Sequence, residues 1–335
     1  MINTAIAKLA AGQNLAGTET REVFDQIMSG CATNAQIAAF ITAMRMKGET
    51  IDEITACAQV LREKCSRIHT QGDVLDIVGT GGDCANTFNI STTSAFVISA
   101  AGQPVAKHGN RSGSSKSGAA DVLEALGVKI DLPAEKNEEL LQKINLCFLF
   151  AQSCHASMRY AGPVRKEIGI RTIFNIIGPL ANPAFASLQL LGVYQKELVL
   201  PLARVLSNLG VKRGIVVYGN DGLDEVTVSS TNTMAEINNG KVTEYIFDPA
   251  DLGFKRCSKA DLVGGDAQEN AQITTNILTG TERGSKRDAV VLNSAVSLYL
   301  GGKGSIKECA ALAEETIDSG RAYEKLQQLV KLSNM

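Results

Sequence analysis

The chain has 335 residues, which at about 150 residues per domain predicts roughly two domains. Its 33 Lys and Arg against 35 Asp and Glu give a net charge of -2, which excludes the broad positive field of a typical nucleic-acid or membrane-surface binder. With 44% hydrophobic residues, it can bury a large core and is not a disordered chain. No apolar run approaches the roughly 18 residues that cross a bilayer, and residues 1–10 lack the features of a secretory signal. We therefore expect a soluble cytoplasmic protein that binds neither nucleic acid nor membrane.

The cysteine and histidine content argues against disulfides and a structural metal. There are eight cysteines without a C-x-x-C pair, and only three histidines. In a chain of this length the pattern predicts reduced thiols, most of them small core residues. Without paired Cys and His spacing we expect no structural zinc.

The first 70 residues are predicted to be entirely helical. Thr33 with Gln36 and Thr50 with Glu53 form capping boxes, in which each Thr hydroxyl and the side chain three residues later satisfy free N–H groups at a helix start. Apolar residues at helical spacing follow both boxes. We therefore expect a small helical domain over residues 1–70.

From residue 71 onward, short apolar runs alternate with helical stretches. This alternation predicts a larger α/β domain over residues 71–335, with a mostly parallel sheet covered by helices. Asn239-Gly240 between two β-rich runs predicts a hairpin that adds antiparallel strands, and the chain from Ser258 is again largely helical. The parallel strands are predicted at residues 74–78, 105–107, 147–150, 188–194 and 215–218.

The stretch between Asp83 and Asp121 contains no acidic residue, although the protein is slightly acidic overall. It holds Lys107, Arg111 and Lys116 among many hydroxyl side chains. Small hydrogen-bond donors with a few cations and no carboxylates suit a ligand that carries several phosphates. The simpler interpretation is a polar loop and helix that merely lack acids, and it is disfavoured because a glycine-rich loop opens the same segment.

That loop, residues 79–83 (GTGGD), directly follows the first predicted strand. Glycines there let backbone N–H groups approach an anion, and a helix predicted to start near Asn89 adds free N–H groups and the positive end of its dipole. A dinucleotide-binding fingerprint needs Gly or Ala where Cys84 stands, and the Gly-Lys-Ser/Thr of a P-loop is absent. The sequence therefore requires a different phosphate-binding scheme.

Two further loops follow predicted strands and should lie at the same edge of the sheet. Residues 107–111 (KHGNR) form one of them, and Asp224 and Glu225 lie in the other. Adjacent carboxylates are good oxygen ligands for Mg²⁺, but a solvated acidic turn explains these two residues equally well. Arg165 and Arg171 are either surface charges or carboxylate ligands, since an arginine can bind a carboxylate through two parallel hydrogen bonds.

Five motifs, in order along nearly the whole chain, are shared with one known family. They are residues 79–83 (GTGGD), 87–92 (TFNIST), 107–111 (KHGNR), 171–180 (RTIFNIIGPL) and 222–225 (GLDE). At this spacing they resemble the motifs of anthranilate phosphoribosyltransferases. The resemblance implies a small helical domain joined by helices from about 164–183, a larger α/β domain of the nucleoside phosphorylase and phosphoribosyltransferase kind, a homodimer, and a site in the cleft between the domains.

The same resemblance implies the reaction. It predicts transfer of the 5-phosphoribosyl group from 5-phosphoribosyl pyrophosphate (PRPP) to the amine of anthranilate, which gives N-(5-phosphoribosyl)anthranilate and pyrophosphate in tryptophan biosynthesis. Mg²⁺ is the implied cofactor. Lys107 and Arg165 are the implied positioning and electrostatic residues, and no catalytic acid or base is implied with certainty.

Transferred position by position, the binding residues of the family fall mainly on the first three motifs. The residues implied to bind PRPP are Gly79, Gly82, Asp83, Thr87, Asn89, Ile90, Ser91, Thr92, Lys107, His108, Gly109, Asn110, Arg111, Ser112, Gly113, Ser114 and Ser115. The residues implied to contact anthranilate are Gly79, His108, Asn110, His155, Met158 and Arg165. The residues implied to hold magnesium are Ser91, Asp224 and Glu225.

Three places depart from the family pattern. The family usually has Gly at the position of Cys84, and it favours Pro-Ala where this chain has Ala156-Ser157. Many relatives also have Ser at the position of Ala119. These changes affect loop closure beside the predicted site and remove one phosphate contact.

Two other functions fit parts of the sequence. A pyrimidine nucleoside phosphorylase shares the predicted architecture, but the paired acids and the KHGNR motif count against it. A relative of the same fold that binds nucleic acid needs an extended basic surface, which the net charge of -2 disfavours. We therefore expect PRPP, anthranilate and a second copy of the chain as the partners.

Overall fold

A computed structural model describes residues 1–112 and 116–335. The helices are α1 (Ile2–Ala10), α2 (Gly17–Met28), α3 (Asn34–Lys47), α4 (Ile51–Glu63), α5 (Ile90–Ala100), α6 (Ala119–Ala125), α7 (Ala134–Ile144), α8 (Ala151–Cys154), α9 (Gly162–Ile168), α10 (Val199–Asn208), α11 (Ala267–Leu278), α12 (Ser285–Leu300), α13 (Ile306–Asp318) and α14 (Arg321–Ser333). The strands are β1 (Leu75–Gly79), β2 (Val105–Gly109), β3 (Leu146–Phe150), β4 (Leu188–Gly192), β5 (Arg213–Gly219), β6 (Asn232–Asn238) and β7 (Lys241–Phe247). Among the described residues, no helix combines the length and apolarity needed to span a bilayer.

These strands form one sheet in the order β3-β2-β1-β4-β5-β6-β7. The first five are parallel, and β6 and β7 are antiparallel additions. The chain leaves β1 toward β2 and β3 and later returns to its other side as β4, so the strand order reverses at β1. In open α/β sheets, ligands bind at the carboxyl ends of the strands beside such a reversal. The predicted fold class, a mostly parallel sheet covered by helices after a helical N-terminal region, is confirmed.

The predicted hairpin joins β6 and β7. Asn239 and Gly240 occupy its turn with φ of 47° and 88°, the left-handed values that a two-residue hairpin of this type requires. The flanking residues Asn238 and Lys241 are paired in register. The Asn-Gly signal in the sequence therefore identified both strands correctly.

The helices α1–α4 form the predicted helical region. The hydroxyls of Thr33 and Thr50 accept the N–H groups of Gln36 and Glu53, and both capping boxes are complete. Glu53 is fully buried, where it accepts the N–H of Leu15 at 2.9 Å and pairs with Lys47 at 2.8 Å. The start of α4 is thereby fixed to the loop between α1 and α2.

Two apolar cores meet at the sheet. One lies between a face of the sheet and the helices α5, α12, α13 and α14. The other joins α1–α4 to residues 161–181, to α10 and to the opposite face of β4–β6, because side chains alternate between the faces of a strand. This second core continues across the predicted boundary at residue 70. The domain limits 1–70 and 71–335, with residues 164–183 added to the helical domain, therefore stay a proposal.

A buried arginine ties the helical region to the rest of the chain. Arg62 at the end of α4 donates from Nε to the carbonyl of Leu180 at 2.7 Å and from Nη1 to that of Leu209 at 2.8 Å. Burial lowers its pKa to about 10, and the two carbonyls offset the cost of desolvating the guanidinium. This contact fixes residues 161–181, the segment that carries Arg165 and Arg171, relative to the sheet.

Candidate active site

The glycine-rich loop after β1 is in direct contact with the loop that carries Asp224. Gly81 and Gly82 have φ of 70° and 80°, values that only glycine adopts without strain. The N–H of Gly81 donates to Oδ2 of Asp224 at 2.6 Å. A Cβ at Gly79 would strike the Asp224 carboxylate, and one at Gly192 would strike the backbone of Asp224. Glycines at the ends of β1 and β4 therefore let this acid lie on the edge of the sheet.

Asp224 and Glu225 are not a solvated turn, so that interpretation is wrong. Asp224 is only 9% exposed. Ser91 donates to Oε1 of Glu225 through its hydroxyl and, at 3.2 Å, through its backbone N–H. Since Ser91 lies in the first turn of α5, Glu225 faces the positive end of the helix dipole. The structure thus brings together the three residues that the resemblance implied for magnesium.

The carboxylates at this edge carry uncompensated negative charge. Burial raises the pKa of Asp224 well above its ordinary value, and the neighbouring carboxylates of Asp83 and Glu225 raise it further. Burial also raises the pKa of Glu225 to about 7, against the lowering effect of its hydrogen bonds from Ser91. Oδ2 of Asp83 is buried and has no hydrogen-bond partner among the described residues. A cation at this place would relieve the repulsion.

Magnesium fits these donors. It prefers oxygen ligands, and it is usually held by one or two carboxylates together with substrate phosphates rather than by a cage of protein groups. Within residues 1–112 and 116–335, no cluster of three or more His, Cys, Asp and Glu side chains could hold a metal by itself. The described residues could therefore supply only part of a ligand set, and the oxygen donors that meet at this place are Asp224, Glu225 and the hydroxyl of Ser91.

Lys107 brings a buried cation to the same edge from β2. Its side chain is almost fully buried, and Nζ donates to the carbonyl of Ile77 at 2.6 Å. Burial lowers its pKa, while the charges of Asp76, Glu225 and Asp224 act in the opposite direction. An ammonium group has three hydrogens, so Lys107 keeps donors for a ligand oxygen after this contact.

Asp76, the second residue of β1, lies beside the site and was missed by the sequence analysis. It is fully buried, and its Oδ1 accepts the backbone N–H of His108 at 3.1 Å. Burial raises its pKa to about 6, against the lowering effect of Lys107. An acid inside the apolar run VLDIV was the available signal, because a charged residue in a buried strand needs a specific partner.

His108 and His155 form a buried pair on the β2 and α8 side of the site. Their ring centroids lie 5.1 Å apart in an edge-on arrangement. Burial lowers the pKa of His108 well below its ordinary value and that of His155 to about 4. Both rings are therefore neutral at pH 7, and Nε2 of His108 has no partner in the described part of the chain. Met158 follows in a short 3-10 helix, residues 156–160.

Arg165 on α9 is half-buried against an aromatic ring. Its guanidinium lies 5.0 Å from the ring centre of Phe174, and Nη2 reaches the carbonyl of Phe174 only at 3.5 Å. Burial lowers its pKa, and among the described residues no carboxylate counters that effect. A guanidinium placed in this way can bind a carboxylate. Asn110 is exposed after β2 and accepts a hydrogen bond from Gln152 at 3.2 Å.

Several predicted phosphate contacts are engaged within the protein or are only partly available. Arg111 pairs with Asp121 at 2.9 Å and with Glu124 at 2.5 Å, both on α6, so its charge is already neutralised. Asp121 also accepts the N–H of Ser112 at 3.1 Å.

The side chain of Ile90 is in the core, which leaves only its backbone for a ligand. Other implied residues lie before or in the first turn of α5 or at the end of β2, and these are Thr87, Asn89, Thr92 and Gly109. Three more lie outside the described residues: Gly113, Ser114 and Ser115.

Arg171 and Cys84 shape the glycine-rich loop. Arg171 donates to the carbonyl of Gly82, and its guanidinium lies 4.2 Å from the ring centre of Tyr194. Arg171 therefore holds the loop in place and is not a surface charge. Cys84 has a left-handed backbone with φ of 58°, which costs a residue with a side chain about 1–2 kcal/mol. This explains why a glycine suits its position better.

The fold and the site together define a glycosyl transferase made of a helical bundle and an α/β domain. Residues 3–65 match the family described as "Glycosyl transferase family, helical bundle domain". Residues 71–323 match "Glycosyl transferase family, a/b domain".

Individual relatives narrow this class. The chain is 60% identical over 335 residues to the anthranilate phosphoribosyltransferase of Ruminiclostridium cellulolyticum, covering 100% of this chain and 98% of that protein. The crystal structure of the Thermus thermophilus enzyme of the same name superposes with a TM-score of 0.94 at 40% identity, covering 99% of each chain. The Saccharomyces cerevisiae enzyme in complex with PRPP and Mg gives a TM-score of 0.92 at 28% identity, covering 99% of this chain and 98% of that one. The chain belongs to the anthranilate phosphoribosyltransferase family, and the resemblance found in the sequence is confirmed.

The buried carboxylates predict an unusual pH dependence of stability in magnesium-free buffer. Because the pKa of Glu225 is raised in the folded state to about 7 from an ordinary 4.5, its stabilising effect is present below pH 4.5 and is lost as the pH rises through 7. We therefore expect wild type to lose about 2–3 kcal/mol of unfolding free energy between pH 5 and pH 8, relative to the double variant Asp224→Asn, Glu225→Gln.

Urea unfolding of both proteins at four pH values, with EDTA and again with magnesium chloride, measures this difference. Because the protein supplies only part of the ligand set, magnesium alone should change little, whereas magnesium added together with PRPP should stabilise wild type at pH 8 more than the double variant. Parallel pH curves for the two proteins in EDTA would show that the carboxylates are not destabilised by burial.

Proposed function

We infer that this chain transfers the 5-phosphoribosyl group of PRPP to the amine of anthranilate, giving N-(5-phosphoribosyl)anthranilate and pyrophosphate in tryptophan biosynthesis. Mg²⁺ is the cofactor. One observation carries the inference: Asp224 is buried against the glycine-rich loop, and the half-buried Glu225 accepts hydrogen bonds from Ser91 at the N-terminus of α5. Acids in that place suit a phosphorylated ligand only together with a divalent cation, and PRPP is such a ligand.

Donor binding is assigned to the edge of the sheet around β1. The glycine-rich loop and the positive end of the α5 dipole meet there, because the N–H of Gly81 donates to Asp224 and that of Ser91 donates to Glu225. Lys107 adds a buried positive charge beside them. The residues proposed to bind PRPP are Gly79, Gly82, Asp83, Thr87, Asn89, Ser91, Thr92 and Lys107.

The chemistry requires positioning and charge neutralisation more than acid–base catalysis. In PRPP the reacting carbon bears pyrophosphate beside a ring oxygen, so its bond to pyrophosphate breaks early and negative charge builds on the leaving group. When bound, magnesium offsets part of that charge. Lys107 donates to the same oxygens. The amine of anthranilate is neutral at pH 7, attacks with its lone pair as the bond to pyrophosphate breaks, and then releases its surplus proton to solvent.

Acceptor binding is assigned to the side of the site that faces α8 and α9. Arg165 lacks a carboxylate partner within the described chain and is proposed to bind the carboxylate of anthranilate. His108 and His155 are neutral, so they offer uncharged walls to the aromatic ring and do not compete with Arg165 for the carboxylate. The other proposed contacts are Gly79, Asn110 and Met158.

We also propose that the enzyme is a cytoplasmic homodimer. Membership of the family supports the dimer. The location is supported by eight free cysteines, which suit a reducing compartment.

A fluorescence assay tests the activity, because anthranilate emission falls when its amine is phosphoribosylated. We expect a steady loss of emission with PRPP and magnesium, and no loss with PRPP and EDTA. In parallel, thymidine and uridine in phosphate buffer should release no free base. Turnover in EDTA would contradict the metal requirement, and release of base would favour the phosphorylase. Retention on DNA at low salt without PRPP turnover would favour the nucleic-acid alternative.

The acceptor assignment predicts that Arg165→Ala raises the KM for anthranilate about 10- to 100-fold. This corresponds to the loss of a charged hydrogen bond that contributes about 1.5–3 kcal/mol. The KM for PRPP and kcat should change little, because this contact is common to the ground state and the transition state. Arg159→Ala is the matched control, since Arg159 lies in the 3-10 helix just before α9 and stacks on Tyr160 at the surface. An unchanged KM for anthranilate in Arg165→Ala, or an equal rise in the control, would show that another group binds the carboxylate.

A further inference from the structure

A row of hydrogen bonds connects α11 with the start of α5. The N–H of Gly265 donates to Oδ1 of Asn270 at 2.8 Å, and Nδ2 of Asn270 donates to Oδ1 of Asn89 at 3.0 Å. Nδ2 of Asn89 in turn donates to the carbonyl of Ser117 at 3.3 Å. Asn270 is 1% exposed, and neither the sequence motifs nor the resemblance pointed to it.

Backbone groups at the two ends fix the direction of this row. The N–H of Gly265 can only donate, so Asn270 must turn its oxygen toward Gly265 and its nitrogen toward Asn89. Asn89 must then accept with its oxygen, which leaves its nitrogen as the free end of the amide. The carbonyl of Ser117 can only accept, which agrees with this orientation.

The orientation decides what Asn89 presents to a ligand. Asn89 is the N-cap residue of α5, yet its side chain accepts none of the N–H groups of that helix. Its oxygen is taken by Asn270, and its nitrogen keeps one hydrogen after the bond to Ser117. An N–H group attracts a phosphate oxygen, whereas an amide oxygen in the same place would repel it.

We propose that Asn270 is a positioning residue for PRPP, which acts by holding the amide of Asn89 with its N–H side toward the phosphates. The inference rests on the proposed function, because it takes Asn89 as a PRPP contact. It adds a residue of α11, far along the chain from the five motifs, to the donor site.

The start of α11 is held at this place by the backbone, independently of the Asn270 nitrogen. The N–H of Phe88 donates to the carbonyl of Leu262 at 3.1 Å, and the N–H of Gly264 donates to the carbonyl of Asn86 at 2.9 Å. Thr87 and Val263 form a bridge between these two bonds. Replacing only the donor of Asn270 should therefore leave the frame of the site in place.

Asn270→Asp makes that replacement, because the carboxylate still accepts the N–H of Gly265 and puts an oxygen where the donor was. Facing this oxygen, Asn89 is expected to rotate and turn its own oxygen toward the ligand. The KM for PRPP should rise about 10-fold or more, because one hydrogen bond to the phosphates is lost and a repulsion is gained. The KM for anthranilate and kcat should stay within about 3-fold.

Two comparisons separate positioning from structure and from charge. Thr274 lies one turn further along α11, and its hydroxyl bonds that of Thr93 on α5 at 2.8 Å. Thr274→Val removes a bond between the same two helices without touching Asn89, so the KM for PRPP should stay within about 2-fold. In an Asn89→Ala background, Asn270→Asp should add less than about 2-fold, because its effect passes through Asn89.

The proposal is overturned if Asn270→Asp leaves the KM for PRPP unchanged, or if Thr274→Val raises it equally. It is also overturned if the full effect of Asn270→Asp persists in the Asn89→Ala background, since the added charge would then act directly. If Asn270→Asp does not fold, Asn270→Ala replaces it, with a rise in the same KM expected and an unchanged KM overturning the proposal. If wild type does not turn over PRPP, the proposed function is refuted, and this inference with it.

Discussion

The burial of like charges at one edge of the sheet governs this site. Asp83, Asp224 and Glu225 lie close enough to raise the pKa of Asp224 by mutual repulsion as well as by burial. The fold moderates this cost with the N-terminus of α5, through Ser91, and with the buried ammonium of Lys107. These contacts leave the charge only partly balanced, which creates a demand for a divalent cation that arrives with a phosphorylated substrate.

The rest of the fold makes this arrangement possible. Glycines at the ends of β1 and β4 give Asp224 the room to lie on the sheet edge, and Arg171 holds the glycine-rich loop from the segment that α4 fixes through Arg62. In the proposed acceptor site, burial keeps both histidines neutral, and Arg165 has no carboxylate partner among the described residues. We therefore propose that the electrostatics of the surrounding side chains direct each substrate to its own part of the site.

Features with a local physical cause could be predicted from the sequence. The capping boxes, the Asn-Gly hairpin and the strand followed by a glycine-rich loop each depend on neighbouring residues, and they appear where they were expected. The role of Asp224 and Glu225 could not be decided from the sequence. Whether they suit a metal or form a solvated turn depends on how they pack, and that packing depends on glycines of two other strands. The pairing of Arg111 with two acids of α6 could not be predicted, because no local pattern shows that α6 folds back to contact it. The contact of Asn270 with Asn89 joins residues 181 positions apart, beyond the reach of any spacing rule.

Titration calorimetry of PRPP binding, in EDTA and in magnesium, measures the central electrostatic claim most directly. For wild type we expect magnesium to tighten PRPP binding at least about 10-fold, a gain of about 1.4 kcal/mol. For the double variant Asp224→Asn, Glu225→Gln, the affinity should depend little on magnesium and should exceed that of wild type in EDTA, because the repulsion between carboxylates and phosphates is gone. Equal magnesium dependence in the two proteins, with weaker binding by the variant in EDTA, would contradict the account.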